Sequence, residues 1–300
     1  MLVIGSRGSQ LALWQANFIQ DKLRANGYDT RIEIIKTTGD KITDVPLAQV
    51  GGKGLFTKEI EEALLDRSID LAVHSLKDLP TELPEGLTVA AVPLRADARD
   101  AIVGKKLQEL PPGSVVGTSS LRRISQLKRI RPDLKFESIR GNLDTRLRKL
   151  DEGQYQAIVL AAAGLKRLGW GERIADVFPP SVVCPAPGQG ALGIETLTSG
   201  AGHEACAPLD HPWSRFAVTA EREMLAELGG GCQIPIGAHA EIENTTMKLI
   251  GLVSALDGSE IVRGTAEGDA TRAKEIGRQL GKALLEKGGA RILERAVGLY

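Results

Sequence analysis

Residues 71–80 read LAVHSLKDLP and residues 114–123 read SVVGTSSLRR. In the first stretch an apolar run, Leu71–His74, turns polar at once into Ser75, Lys77 and Asp78 before Pro80 stops it. In the second, an apolar run delivers Thr118, Ser119 and Ser120 to a segment that reads as a helix from Leu121. Strands that end in polar residues and hand over to helices are the unit of an open α/β sheet, where ligands bind outside the carboxyl ends of the strands. The same alternation extends to both sides. Strands are expected at Leu2–Gly5, Thr30–Thr37, Leu87–Val92, Ser114–Gly117, Lys135–Ile139 and Ala157–Ala161, and helices at Gln10–Asn26, Lys58–Asp66, Leu121–Ile130, Leu143–Glu152 and Gly164–Leu168. Strand followed by helix implies right-handed crossovers and mostly parallel sheets.

Some boundaries have a mechanism. Thr57 can cap the helix that carries Ile60, Ala63 and Leu64 on one face. Arg131-Pro132 ends the helix from Leu121, because a residue before proline leaves the α region. Leu143, Leu147 and Leu150 form a core stripe. The polar segment Arg95–Asp100 reads as a hinge into a second α/β domain, and CPAPGQG, 184–190, as the return. This gives a discontinuous first domain (1–94 and 191–207), a second (95–190) and a third (208–300), with Thr196–Pro212 as a Gly/Ala/Pro-rich linker. In the third, Lys248–Leu256 and Glu260–Gly268 flank the hairpin signal Asp257-Gly258, and an amphipathic helix follows over Ala270–Glu286, a small α+β arrangement.

Composition excludes some classes of function. Among 300 residues Lys+Arg and Asp+Glu number 38 each, so net charge points to neither a nucleic-acid nor a membrane-surface partner. No apolar stretch approaches the roughly 18 residues of a membrane span. MLVIGSRGSQ turns polar within five residues and reads as no secretory leader, so a cytoplasmic location is expected. The three cysteines, Cys184, Cys206 and Cys232, are too few for a disulfide framework and have no zinc spacing.

Arginines recur at strand ends. Arg122 and Arg123 sit in the first turn of a helix, where the dipole favours an anion and opposes a cation. Two cations there destabilise unless an anion is bound, which marks a functional position. Arg140-Gly141 turns into a helix bearing Arg146, and Arg167 follows the next strand. Guanidinium groups so placed suit several carboxylates or phosphates. The other readings are solvated helix faces, or nucleic-acid contact through RRISQLKRIR, 122–131. The latter is disfavoured by neutral charge and the lack of interleaved aromatics. Lys77 and Asp78 read either as a site or as a salt-bridged loop pair, and His74 as a structural histidine. GSRGS, 5–9, is a weak anion-site signal, and GGKGLF, 51–56, is a glycine-hinged segment without Walker spacing. Cys232 lies in GGGCQIPIG, 229–237, where three glycines leave space around the sulfur. It is a nucleophile or an incidental thiol in a turn.

Together SRGSQLALWQ, VGGKGLFTKEIE, DLAVHSLKDLP, GTSSLRR, RGNLDTRL, LAAAGLKRLG, PAPGQGALGIE, TAERE and GGCQIPIG, in this order along the chain, resemble the porphobilinogen deaminase (hydroxymethylbilane synthase) family. The resemblance implies two periplasmic-binding-protein-like (type II) α/β domains plus a small α+β C-terminal domain. It also implies a dipyrromethane cofactor joined by a thioether to Cys232. On this primer four porphobilinogens are deaminated and added head to tail, and hydrolysis releases hydroxymethylbilane. Asp78 matches the family's catalytic aspartate, which stabilises the azafulvene cation left by ammonia loss and shuttles protons. Cofactor contacts are implied for Cys232, Ser75, Lys77, Asp78, Thr118, Ser119, Ser120, Arg122, Arg123, Arg140, Gly141 and Arg146. Substrate contacts are implied for Arg7, Ser9, Lys53, Phe56, Arg140, Arg146, Arg167 and Gln189, lining one cleft. Monomer is the family's expected state. The chain departs from the family pattern at Gly229, commonly glutamate, and Gln10, commonly proline. A non-enzymatic anion-binding protein of the same architecture would need neither Cys232 nor Asp78, and a cysteine hydrolase would need a histidine base, for which His239 is nearest in sequence to Cys232.

Overall fold

The computed structural model describes residues 1–41, 55–229 and 235–297, so Lys53 and Cys232 lie outside the described residues. By internal contacts the chain divides into two units, Met1–Ala96 with Ala191–Arg215, and Asp97–Gly190 with Phe216–Tyr300.

The first unit opens with β1 (Leu2–Ser6), α1 (Gln10–Ala25), β2 (Thr30–Ile34), α2 (Lys58–Leu65), β3 (Leu71–Ser75) and β4 (Leu87–Ala91). Helix α1 starts at Ser9, whose hydroxyl accepts from Ala12 N at 3.3 Å, and it buries Ala16, Ile19 and Leu23 on one face. Thr57 precedes α2 as expected but does not cap it. Its backbone angles, φ −121° and ψ −28°, are not those of an extended cap, and its side chain makes no capping bond.

The second unit runs β5 (Asp100–Gly104), β6 (Val115–Gly117), α3 (Leu121–Ile130), β7 (Lys135–Glu137), α4 (Leu143–Asp151), β8 (Ala157–Ala161), α5 (Ala162–Arg167) and β9 (Ile174–Val177). Its sheet has the order β7-β6-β8-β5-β9. Successive residues point to opposite faces. Ile102 and Val159 therefore join one core with Val116 and Leu127, while Val103 and Leu160 join another with Leu147 and Leu165. A sheet covered on both faces explains why its strands read as continuous apolar runs. Strand β7 ends two residues before the expected Ile139, because Ile139 N donates to Ser119 Oγ at 3.1 Å instead of continuing the ladder.

The chain then returns to the first sheet as β10 (Leu192–Leu197), giving the order β2-β1-β3-β10-β4. The two sheets share one plan. Each has three parallel strands followed by a strand antiparallel to both its neighbours, β10 in the first and β5 in the second. The segment expected to be a linker is largely helical. It carries the end of β10, then α6 (Ala201–Cys206), then the start of α7 (Pro212–Glu227). Gly202 is required in α6, since a β-carbon there would lie 2.2 Å from the Asp70 carbonyl oxygen.

Strands β11 (Ile236–Glu243), β12 (Thr246–Ser254) and β13 (Ile261–Asp269) form an antiparallel sheet, with Asp257-Gly258 in the β12–β13 turn as expected. Helix α8 (Ala273–Leu284) lays Ile276, Leu280 and Leu284 on Met224, Leu249 and Val253, and α9 (Ala290–Val297) follows. Each such aliphatic side chain, fully buried, stabilises by about 1.5–3 kcal/mol. Among the described residues no helix is long and apolar enough to cross a membrane.

Candidate active site

In the first unit the polar residues after β3 form a single 3₁₀ turn, Leu76–Asp78, held by Leu76 N donating to Ala191 O at 3.0 Å and Leu79 N to Leu76 O at 3.2 Å. The turn leaves the Asp78 side chain exposed and Lys77 half-buried. Ser75 accepts from Gln15 Nε2 at 2.9 Å, so α1 fixes the end of the strand. After β1, Arg7 is clamped. Its guanidinium pairs with Asp40 and lies 4.1 Å from the centre of the Phe56 ring. Asp40 also accepts from Thr37 Oγ1 at 2.8 Å. Burial pulls the Asp40 carboxyl up, but the Arg7 and Thr37 hydrogen bonds outweigh it and hold it below the ordinary range. Gly39 lies under Phe56, where a β-carbon would be 2.3 Å from the ring, so the Arg7–Phe56 stack depends on that glycine. Ser9, expected at substrate, spends its hydroxyl on the α1 cap.

In the second unit the strand ends converge on one buried carboxylate. Asp100, fully buried at the start of β5, accepts from Arg122 Nη1 at 2.6 Å, Arg123 Nη2 at 2.7 Å and Gln189 Nε2 at 2.9 Å. Arg122 Nη1 also donates to Cys184 O at 2.6 Å, Arg123 Nη1 to Val159 O at 2.9 Å, and Gln189 Nε2 to Ala98 O at 2.7 Å. The anion that two first-turn arginines require is thus provided within the chain. Burial alone would raise the Asp100 carboxyl, but the two guanidinium groups outweigh it and hold it well below the usual carboxylate range. Two cations share one carboxylate, so the buried cluster carries a net positive charge.

The neighbouring loops are tied together by Ser119. Its hydroxyl lies 2.8 Å from both Ser138 Oγ and Ile139 O and accepts from Ile139 N, joining the β6–α3 and β7–α4 turns. Thr118 is buried, and its Oγ1 accepts from Ser120 N at 3.3 Å. Gly141 has φ +109°, and a β-carbon would fall 2.6 Å from Thr145 Cγ2. Only glycine fits this turn, which presents Arg140 half-buried at the mouth of α4 and lets Arg146 Nε donate to Gly141 O at 2.7 Å. Arg167 Nη2 donates to Gly190 O at 2.8 Å. Desolvation pulls this guanidinium down to about 10, so it stays cationic at neutral pH. Among the described cysteines, burial pushes the Cys184 and Cys206 thiols up to about 12, so neither presents a thiolate. Among the described residues no group of three or more His, Cys, Asp or Glu could hold a metal.

Asp100 and Asp40 are the site residues that sequence reasoning missed. A carboxylate opening the apolar run Ala101–Val103, with two arginines elsewhere lacking an acidic neighbour, was the signal for Asp100; its place in a polar hinge segment concealed it. Replacing Asp100 by asparagine is expected to cost about 3–5 kcal/mol, because two buried guanidinium groups lose their counter-charge. Denaturant unfolding of the variant at neutral pH measures this. Since the folded carboxyl is depressed, the contribution is present above the ordinary carboxylate range and is lost only as pH falls through its lower folded value.

A family model described as porphobilinogen deaminase, dipyromethane cofactor binding domain, matches residues 2–203, and a second, porphobilinogen deaminase, C-terminal domain, matches residues 215–286. The chain belongs to the porphobilinogen deaminase family. It is 52% identical over 297 residues to the porphobilinogen deaminase of Syntrophobacter fumaroxidans, covering 97% of this chain and 96% of that protein. It is 51% identical to that of Pelobacter propionicus over 298 residues, covering 98% and 96%. Among solved structures, a periplasmic substrate-binding protein of an ABC transporter from Coxiella burnetii is 12% identical, with 70% of this chain and 91% of that chain covered and a TM-score of 0.44. The second substrate binding domain of a putative amino acid ABC transporter from Streptococcus pneumoniae, also 12% identical, covers 69% and 91% with a TM-score of 0.42. The fold is two five-stranded α/β sheets built on one plan and a small α+β C-terminal part.

Proposed function

We propose that this protein is a hydroxymethylbilane synthase, which deaminates porphobilinogen and joins four molecules head to tail on a dipyrromethane primer. The carrying observation is family membership along nearly the whole chain, residues 2–203 and 215–286. The donor set fits such a primer. Each pyrrole ring brings carboxylates, and the second unit offers a cationic surplus at Arg122 and Arg123, with Arg140 and Arg146 at the next strand end. When bound, the dipyrromethane supplies the pyrrole carbon from which the chain grows. Cys232 is assigned as its thioether anchor, a reading supported by the buried, high-lying thiols of Cys184 and Cys206. Thr118, Ser119, Ser120 and Gly141 shape the turns that hold the primer's side chains, and Ser75, Lys77 and Asp78 act from the end of β3.

Asp78 is assigned the proton transfers. Its exposed carboxylate can stabilise cationic charge at a pyrrole and exchange protons at the aminomethyl nitrogen. Arg7, Lys53, Phe56, Arg167 and Gln189, with Arg140 and Arg146, receive the acidic side chains of incoming substrate. In this assignment Asp40 and the Phe56 ring hold the Arg7 guanidinium oriented when no substrate is present. Gln189 is held by Asp100 and Ala98 at the end of the segment that leads into β10. The reading includes a third domain at 208–300, supported by the separate sheet β11-β12-β13, a cytoplasmic location and a monomeric state. Purified protein incubated with porphobilinogen is expected to consume it and to release a linear tetrapyrrole. No consumption by protein that carries the cofactor would overturn the assignment.

A further inference from the structure

The first unit buries Glu61, His74 and Glu195, none of which the reaction uses. His74 on β3 lies opposite Gly193 and Glu195 on β10 lies opposite Ala72, so the two are diagonal neighbours on one sheet face. His74 Nε2 is 3.0 Å from Glu195 Oε2, with side-chain exposures of 6% and 0%. The two groups approach without hydrogen-bonding alignment. His74 Nε2 and both Glu195 carboxyl oxygens lack a hydrogen-bond partner among the described residues. Glu61, buried in the first turn of α2, completes the group, and His74 and Glu195 both act on its carboxyl. The Thr57 hydroxyl lies close enough to act on the Glu61 carboxyl, but neither Thr57 Oγ1 nor Glu61 Oε1 meets full hydrogen-bonding geometry.

Glu61, His74 and Glu195 are thus buried where α2 packs on β3 and β10, with polar atoms that lack full hydrogen bonds. Native interiors seldom leave such atoms bare, and a polar site with several partners is where buried water binds. Charge narrows the arrangement further. Two ionised carboxylates close together in a low-dielectric core are unfavourable, and like charges resolve this by one group keeping its proton. Burial pushes the Glu61 carboxyl up and Glu195 adds to it, while Thr57 and His74 oppose.

We propose that Glu61, His74 and Glu195 form a water-bridged, proton-sharing cluster in which Glu61 is the protonated member and which docks the first turn of α2 on the strand that delivers Asp78. Only the link to Asp78 rests on the catalytic reading; the cluster itself does not. The charged and titratable groups around it are Glu62 and Glu59 on α2, His74 on β3 and Glu195 on β10. Strands β1 and β4, which also pack against α2, carry no titratable side chain. Glu59 is engaged by Thr38, whose N donates at 2.8 Å.

The test is thermal unfolding of the cofactor-bearing wild type, Glu61→Gln and Glu195→Gln from about pH 5 to about pH 8. A carboxyl that holds its proton more tightly when folded contributes stability below the ordinary value of 4.5 and loses it as pH rises through the folded value. Glu61→Gln removes that loss. Its melting temperature is expected to match wild type at the acid end and to exceed it by a margin that grows with pH. Glu195→Gln is expected to melt roughly 6 °C or more below wild type throughout, because it removes one partner of a buried pair. Should Glu195→Gln fail to fold, infrared spectra of wild type at neutral pH are expected to contain a buried carboxylic-acid carbonyl band that Glu61→Gln abolishes. A Glu61→Gln curve that runs parallel to or below wild type at every pH overturns the proposal, as does the lack of that band. Neither readout depends on porphobilinogen turnover, so their failure is separate from failure of the proposed function.

Discussion

Replacing Cys232 by serine is expected to yield a folded polypeptide that carries no covalent pyrrole and makes no tetrapyrrole. The oxygen of serine is a far weaker nucleophile than a thiolate at neutral pH, so the thioether does not form. The two described cysteines offer no replacement, because burial pushes both thiols up to about 12. The variant is also expected to melt several degrees below wild type. Arg122 and Arg123 share one carboxylate, and without the primer's acidic side chains their surplus charge lacks a counter-ion. Calorimetry of both proteins at equal concentration and ionic strength measures this. Equal melting temperatures would show that the cationic cluster does not depend on a bound polyanion.

Asp78→Asn is expected to act in the opposite way, with large kinetic and small structural consequences. The carboxylate is exposed on a 3₁₀ turn whose backbone is held by Leu76 and Leu79, so an isosteric amide leaves those contacts in place. An amide cannot take up or return a proton, nor balance a cation. Turnover is expected to fall by a factor on the order of 100 to 10,000. Melting temperature and cofactor content are expected to stay at wild-type values. Single-turnover assays on protein whose cofactor content has been verified by mass separate this from a loading defect. Near-normal turnover would remove Asp78 from the chemistry.

Much of this was legible in the sequence. Helix α3 spans the residues that its start signal and Arg131-Pro132 mark, and Leu143, Leu147 and Leu150 face one core as their spacing requires. The missed strands are instructive. β5 begins on a carboxylate after a charged run, and it is the one strand that runs against the others in a sheet otherwise of one direction. β9 is a four-residue edge strand, and β11 follows a proline with small residues, too weak a period-2 pattern to stand out. The helix α6 was hidden by Gly200, Gly202 and several alanines, where packing against Asp70 rather than propensity decides.

The site was legible only in part. Arginines at strand ends suggested an anion site, but spacing alone could not reveal that Asp100, twenty-two residues before Arg122, is the anion Arg122 and Arg123 meet in the fold. The same holds for Asp40, thirty-three residues from Arg7. Ionic partners distant in sequence are chosen by the fold, and no periodicity encodes them. The roles of Cys232 and Asp78 came from family resemblance, since a glycine-rich loop and a polar strand end are by themselves compatible with structural roles.

The most direct measurement is the intact mass of the purified protein under denaturing conditions, followed by mapping of the modified peptide. The expected result is a mass above that of the polypeptide by one dipyrromethane, carried on the peptide that contains Cys232. A mass equal to the polypeptide alone, with Cys232 freely alkylated after incubation with porphobilinogen, would contradict the account.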